Sequence, residues 1–297
     1  MGSALARALD RAGVRVAAVA SRNDARARAL GGMLSGASVV TLREAGAAAP
    51  VVVLAVSDGA IESVASEIQP RAGTLVAHVS GFRDVTALAA ARDRGARVGG
   101  FHPLAAVARG QSVAEVSDDD CAAVFRGGAF AIEGEEGVQA TLAELARALG
   151  GEPFAIAASD KPLYHLGASM LAAFAAGLAQ VSWDQLRAAG ASPALASRGV
   201  GHLLETVAQN IARAPTPAAA LTGPVARGDA DGVRRQAHTA RGLSPEAREL
   251  YRVHALHNVH LARAAGKIDA AAAARLIDAL REDEKTRRRE DEKTSSW

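Results

Sequence analysis

Aromatic side chains are scarce: Phe, Trp and Tyr together make up 3% of the 297 residues, although 49% are hydrophobic and alanine dominates. A surface that binds single-stranded nucleic acid by stacking needs more rings than this. The formal net charge is only +2, and the arginines are scattered along the body of the chain, so no basic face is set aside for a phosphate backbone. Cysteine occurs once, at Cys121, which excludes an intrachain disulfide and a cysteine-rich metal site and fits a reducing compartment. No apolar run reaches the roughly 18–20 residues that a membrane helix needs. The opening Met1-Gly2-Ser3-Ala4-Leu5-Ala6-Arg7 lacks the layout of a secretory signal. A soluble, cytoplasmic protein with neither a nucleic-acid nor a membrane partner is therefore expected. Neither a Gly-x-Ser-x-Gly elbow nor a phosphate-loop Gly-Lys-Ser/Thr occurs, which argues against hydrolases and nucleotidases.

What is present is an alternation of strand-like and helix-like segments. Residues 3–12 read as a helix ended by Gly13, followed by a strand over 14–20 that closes at Ser21-Arg22-Asn23. A helix over 24–31 and a short strand over 38–40 follow. Val51-Val52-Val53-Leu54-Ala55-Val56 is an uninterrupted apolar run, as expected of a parallel strand buried on both faces. Further strands are expected over 74–79, 97–99 and 130–132, with helices over 59–68 and 84–94. This spacing predicts a doubly wound α/β sheet. Beyond residue 157 the strand-like runs stop, and helices are predicted over 160–189, 193–213, 230–241, 244–264 and 268–285. We divide the chain into an α/β domain over 1–157, an all-helical domain over 158–280 and a charged tail over 281–297. The tail repeats Arg-Glu-Asp-Glu-Lys-Thr at 281–286 and 289–294 and has nothing apolar to bury, so disorder is expected there.

A dinucleotide-binding domain opens with a strand, then Gly-x-Gly-x-x-Gly, then a helix whose N-terminal amides face the diphosphate. Here Met1-Gly2-Ser3 and the following helix match the end of that fingerprint, with Gly2 as its third glycine and Ser3 beside it. The first strand and the first two glycines are not in the sequence, and a start at an internal Met, with the missing strand encoded upstream, is the expectation. A genuine loss of the strand, and with it of normal cofactor binding, is the alternative. Ser21-Arg22-Asn23 at the end of the second strand carries no acid for an adenosine ribose, and Arg22 supplies a guanidinium fork suited to a 2′-phosphate. NADP is therefore expected over NAD, with Ser21 and Arg22 at its phosphate and Ala55, Val56 and Ser57 lining the nicotinamide side.

Several motifs together resemble a known group: Ser80-Gly81 after a strand, Phe101-His102-Pro103-Leu104, Lys161 with Tyr164-His165, and Leu221-Thr222-Gly223-Pro224-Val225-Ala226-Arg227-Gly228-Asp229. The chain resembles bacterial Rossmann-like proteins with an uncharacterised helical C-terminal domain, over about residues 1–280. That group is similar to pyrroline-5-carboxylate reductases, ketopantoate reductases and other dehydrogenases of the 6-phosphogluconate type. The resemblance implies NADP-linked reduction of a small carbonyl or imine, with a 2-oxo acid such as ketopantoate as one candidate substrate. It also implies an Asn about twelve residues after the lysine, where this chain has Ala173.

The residues allow a site to be assembled. Reduction of a carbonyl leaves an alkoxide that needs a proton. Lys161, His165 and Ser169 recur at i, i+4 and i+8, a single helical stripe. Lys161 and His165 are the catalytic candidates, with Ser169 beside the substrate. Ser159 or Asp160 is positioned to cap this helix, and Pro162 is tolerated in its first turn. Ser80, Gly81 and His102 lie where open α/β sheets bind ligands, and Arg227 either clamps a substrate carboxylate or ties helix ends. His254, His257 and His260 recur every three residues, but the outer two diverge around the helix, so packing or an interface is expected rather than a metal. Asp118-Asp119-Asp120 reads as an acidic helix start. The apolar helices of the second domain exceed what one small bundle buries, so a homodimer is expected. The alternative to an enzyme is a non-catalytic ligand sensor or dimeric scaffold on the same fold.

Overall fold

The computed structural model describes residues 1–107 and 116–281. It divides into two compact units, Met1–Ala175 and the chain from Ala176 on. In the first unit the elements run α1 (Gly2–Arg11), β1 (Ala18–Val19), α2 (Asp24–Gly31), β2 (Ser38–Val39), α3 (Leu42–Ala45), β3 (Val51–Leu54), α4 (Ile61–Glu67), β4 (Leu75–His78) and α5 (Ala89–Arg92). They continue with β5 (Arg97–Pro103), α6 (Asp118–Ala123), β6 (Ala129–Glu133), α7 (Glu136–Ala148), β7 (Glu152–Ala155) and the start of α8 (Lys161–Ala188). The doubly wound α/β class holds.

Five strands form one sheet in the order β3-β4-β5-β6-β7, parallel except where β5 meets β6. That antiparallel pair lengthens β5. Pairing of His102 with Ala131 and Pro103 with Phe130 carries the strand through to Pro103, four residues beyond the expected end at 99. The strands β1 and β2 pair in parallel as a separate ribbon. Among the described residues no ladder joins β1 to β3, the two neighbours of the strand that the fingerprint reading says is missing.

All four residues of β4 are buried, and the period of two sorts them between two cores. Leu75 and Ala77 face a cluster with Leu5 and Leu9 of α1, Phe101, Phe125, Phe130, and Val138 and Leu142 of α7. Val76 faces the opposite cluster, with Ile61, Val64 and Ile68 around α4 and Leu88 and Ala91 around α5. Helices thus cover both faces, which is why the strands carry apolar residues without polar alternation. The acidic run before Cys121 is accounted for by α1: Ser117 caps α6, Asp118 accepts from Arg7 at 2.5 Å and Asp119 pairs with Arg11.

The helical region follows the sequence reading closely, with α8 at Lys161–Ala188, α9 at Pro193–Arg213, a single turn α10 at Gly223–Ala226, α11 at Ala230–Ala240, α12 at Pro245–Ala264 and a last helix over 270–281. Val225, Val233, Val259, Ala262 and Leu276 form its core. The repeated charged segment lies outside the described residues after 281. Two expectations are corrected. The units part inside α8, after Ala175, rather than at 157, because the first turns of this helix are tied into the first unit. And α8, extended from Ala158 by a 3-10 turn, contains an 18-residue window of mean hydropathy 1.4 with none of it buried, so by length and composition alone it is apolar enough to cross a membrane.

Phe101 and Phe130 stack with centroids 5.1 Å apart, and Phe125 meets Phe130 at 6.2 Å, all three fully buried. Phe130→Ala is therefore expected to cost about 3–5 kcal/mol in unfolding free energy, measured by urea denaturation of the purified variant.

Candidate active site

The alternation along β4 and β5 decides which side chains reach the site. His78, Gly100 and His102 share a face with Val76 and Val98, the face on which α4 and α5 pack. Beyond β4 the chain turns through Ser80-Gly81-Phe82 before the helical turn at 85–88. His78 is fully buried and holds this turn from both ring nitrogens: Nδ1 accepts from the Ser80 amide at 3.2 Å and Nε2 donates to the Asp84 carbonyl at 3.1 Å. That pairing fixes one neutral tautomer. Burial, then the charge of Lys161, pushes the His78 pKa down, which keeps the ring neutral.

Ser80, expected to touch substrate, is 5% exposed, and its hydroxyl accepts from the amides of Phe82 and Arg83 at 3.2 and 2.9 Å. Its oxygen thus shapes the loop. Gly81 lies beside both site imidazoles. A Cβ built on it would stand 2.8–2.9 Å from His102 Cε1 and Nε2 and 2.9 Å from His165 Nδ1. Real Cβ atoms do not come this close, so no other residue fits here without moving two rings.

His102 extends from β5 toward α8, where its Nδ1 meets the Tyr164 hydroxyl at 2.7 Å with the rings edge to face. Burial, followed by His165 and Lys161, lowers the His102 pKa to about 4. Burial raises that of Tyr164 to about 12. At neutral pH the pair is a neutral imidazole and a protonated phenol. His165, one residue on, packs against Phe82 at 5.8 Å and lies 6.4 Å from His102 between centroids. Its Nε2 is 3.2 Å from the Ser169 hydroxyl, so the i, i+4 stripe read from the sequence is realised for these two. The Nδ1 of His165 is buried and has no hydrogen-bond partner among the described groups.

Lys161 departs from expectation. It is 2% exposed, and its Nζ donates to Glu133 Oε2 at 3.0 Å. Glu133 ends β6, is 5% exposed, and its other oxygen accepts the Val85 amide at 3.2 Å. The ammonium lies directly over β5, where a Cβ on Gly100 would be 3.1 Å from Nζ. The charge is sequestered from solvent and matched by a carboxylate. This pairing ties the first turn of α8 to the end of β6. The expected cap by Ser159 or Asp160 is replaced by a 3-10 turn over Ala158–Asp160 leading straight into α8. Pro162 sits in the first turn of α8, as foreseen.

The remaining candidates are dispersed. Gly2 opens α1 against the end of β3: a Cβ there would stand 2.9 Å from that of Ala55. The first amides of α1 have no intrahelical partner. Arg22 is exposed just past β1, and the Ser21 hydroxyl accepts from the Asn23 amide. Val56 and Ser57 follow β3 into a 3-10 turn over Asp58–Ala60. Arg227 is exposed at the end of α10 in the second unit, and Ala173 is exposed on α8. In the second unit His254 Nδ1 is 2.9 Å from the Leu250 carbonyl, while His257 and His260 are exposed.

Sequence reasoning missed two participants. Tyr164 was noted only beside Lys161 and His165, and its approach to His102 depends on a contact 62 residues long. Glu133 carried one signal, an acid ending the apolar Phe130-Ala131-Ile132, which a buried strand tolerates only if a cation meets it.

Comparison with known proteins agrees with this architecture. Residues 1–103 match the model of a Rossmann-like domain, and residues 129–258 match a domain of unknown function, DUF2520. The chain joins a Rossmann-like domain to a DUF2520 domain. A Bacteroides fragilis protein assigned to the NADP oxidoreductases superposes with a TM-score of 0.65 at 21% identity, over 87% of this chain and 93% of its own. Plasmodium falciparum pyrroline carboxylate reductase, solved with NADP bound, gives 0.54 at 14% identity, over 95% and 93%. The reductive aminase of Aspergillus terreus, solved with NADPH and ethyl levulinate, gives 0.56 at 20% identity, over 94% and 95%. At these identities the likeness is one of fold. No curated protein matches the chain.

The Lys161–Glu133 pair generates a prediction for the two-domain chain. Lys161→Met leaves a carboxylate buried and should cost about 3–5 kcal/mol, whereas Lys161→Met with Glu133→Leu should recover most of that loss. Chemical denaturation of the three proteins measures both terms.

Proposed function

We propose that this protein is an NADP-dependent oxidoreductase that reduces a small carbonyl or imine substrate. The observation that carries the reading is the Tyr164–His102 pair beside Gly81, at the ligand-binding edge of a doubly wound sheet. A protonated phenol hydrogen-bonded to a neutral imidazole is a proton source of the kind a nascent alkoxide or amide anion requires. The fold of known NADP-binding reductases supports the cofactor.

The residues fit that cofactor. The tight seat of Gly2 against Ala55 brings the free amides of α1 to the end of β3, where they suit a diphosphate. Ser21 and Arg22 would meet the 2′-phosphate, Ser3 the diphosphate, and Ala55, Val56 and Ser57 the nicotinamide side. The bound cofactor supplies the hydride. The protein supplies the proton and its orientation: Tyr164 and His102 share it, His78 fixes the loop that carries Gly81, and Lys161 with Glu133 holds the first turn of α8 over β5.

The long α8 adds a proposal about assembly. Leu163, Leu166, Met170, Leu171 and Phe174 are exposed along it. Patches of this extent on a soluble chain mark an interaction surface, and a second copy presenting the same helix covers it by two-fold symmetry. Sedimentation equilibrium should find a dimer, and Leu171→Glu with Phe174→Glu should shift it to monomer.

NADPH fluorescence tests the function. The full-length protein should bind NADPH with a change in emission, more tightly than NADH, and Arg22→Ala should remove most of that preference. In a panel of small aldehydes, ketones and cyclic imines followed by NADPH oxidation, Tyr164→Phe should lower kcat by about 10²–10⁴ with little change in KM. A full-length protein that binds neither NADPH nor NADH is a sensor or scaffold instead.

A further inference from the structure

Five rings run in series through the site. Centroid to centroid, Phe82 lies 5.8 Å from His165, His165 6.4 Å from His102, His102 5.4 Å from Tyr164 and Tyr164 5.9 Å from Phe154. All four spacings fall in the range of about 4.5–7 Å over which aromatic pairs attract. The three inner rings carry the polar chemistry. The two outer ones are plain phenyl groups, and both are left open, Phe82 at 52% and Phe154 at 41% exposure. The chain has only six phenylalanines, so their distribution is informative. Phe101, Phe125 and Phe130 fill the core, and Phe174 lies on the face of α8 proposed to meet a second copy. Phe82 and Phe154 stand instead on a loop and on β7, at the two ends of the ring series. Leu104 extends this apolar rim. Its amide donates to the Ala129 carbonyl at 2.8 Å, so two places past His102 it shares that residue's face of the strand, and it too is exposed.

The charges around the rings do not suit an anion. Besides the neighbouring imidazoles, the groups whose fields act most on His102 are Lys161, matched by Glu133 at 3.0 Å, and Asp58, an acid. Arg83, the residue after Phe82, pairs with Glu62. Both cations next to the ring series are thus committed to carboxylates. A substrate carboxylate would have to compete with a buried acid for Lys161, or face Asp58.

We propose that this site takes neutral carbonyl compounds bearing an aromatic group, with the carbonyl at the Tyr164–His102 pair and the ring against Phe154 or, in longer substrates, Phe82, and that it discriminates against 2-oxo acids. This names the substrate class of the reductase proposed above and rests on that reading for the reduction, not for the binding. A flat ring placed here continues the series and covers an open phenyl group, gaining both apolar burial and ring contact. An aliphatic ketone gains burial alone. A carboxylate sheds its water and meets no uncommitted cation in return, which is a penalty against the wrong substrate rather than a contact for the right one.

Fluorine NMR of 4-fluoroacetophenone tests the proposal on the full-length protein, with and without NADP⁺, which cannot reduce the ketone. 4-Fluoroacetophenone should bind about tenfold more tightly than 4-fluorophenylglyoxylate, the same ring with a carboxylate in place of the methyl group. Acetophenone should displace it at about tenfold lower concentration than 2-butanone does. Phe154→Ala and Phe82→Ala together should weaken the aryl ketone by about threefold to tenfold while leaving 2-butanone little changed, and Phe154→Tyr, which keeps the ring, should retain parent affinity. Equal or tighter binding of the arylglyoxylate would overturn the proposal. So would alanine variants that bind the ketone like the parent, or that alter sedimentation instead, since the two rings would then belong to an interface between chains. Aryl-ketone binding with these preferences in a protein that ignores NADPH and NADH would uphold the recognition site and remove the reductase reading. NADPH-dependent reduction confined to 2-oxo acids would do the reverse.

Discussion

A buried ammonium and a buried carboxylate cannot be separated cheaply in a protein interior, and the geometry of the site depends on that fact. Lys161 begins α8, Glu133 ends β6, and their bond at 3.0 Å fixes the first turn of the helix over the centre of β5. Tyr164 is three residues on and His165 four, so the helical repeat turns both toward the sheet edge that carries His102. The alternation of β5 puts Gly100 and His102 on one face. A small residue under the ammonium and an imidazole two positions later are thus demands of the same strand. A pair of this kind is poor evidence for net stability, since apolar replacement of both partners is often neutral. What it provides is register: α8 cannot slide or rotate without stranding a charge.

The same pair shapes the electrostatics. Lys161 is matched by Glu133, yet its charge still contributes, after burial and His165, to keeping His102 neutral, and after burial to doing the same for His78. The consequence is two imidazoles, His78 and His102, held toward the neutral form beside a phenol whose pKa is pushed up.

Much of this was legible in the sequence, and the boundary is physical. Period and run length located β3, β4 and the helices of the second half, since a buried parallel strand and a long helix leave strong local patterns. Gly2 was legible through spacing alone: a Cβ there would stand 2.9 Å from that of Ala55, so the close packing depends on its absence. Ser80, Gly81 and His102 stood out because open α/β sheets bind ligands at strand ends, and His165 and Ser169 because they share one helical stripe. Their individual roles were not. Whether a serine hydroxyl faces a ligand or ties its own loop depends on two backbone amides that no pattern reveals, and the fate of Lys161 depended on an acid 28 residues away in a strand running the opposite way to β5. The antiparallel turn of β6 is itself the reason. It brings the end of that strand, and so Glu133, to Gly100 in the middle of the sheet face, whereas a parallel strand would have put its acid elsewhere.

Gly81 shows how tightly sequence and chemistry are coupled at this edge. A Cβ at this position would meet two imidazoles from different elements, β5 and α8, closer than real side chains come. The loop bearing it is held by His78 from inside and by the Ser80 hydroxyl from beneath, so the backbone cannot retreat to admit a larger residue. The glycine is therefore a spacer. It sets how closely the ring from β5 and the ring from α8 approach the loop, and a larger residue there would have to displace both.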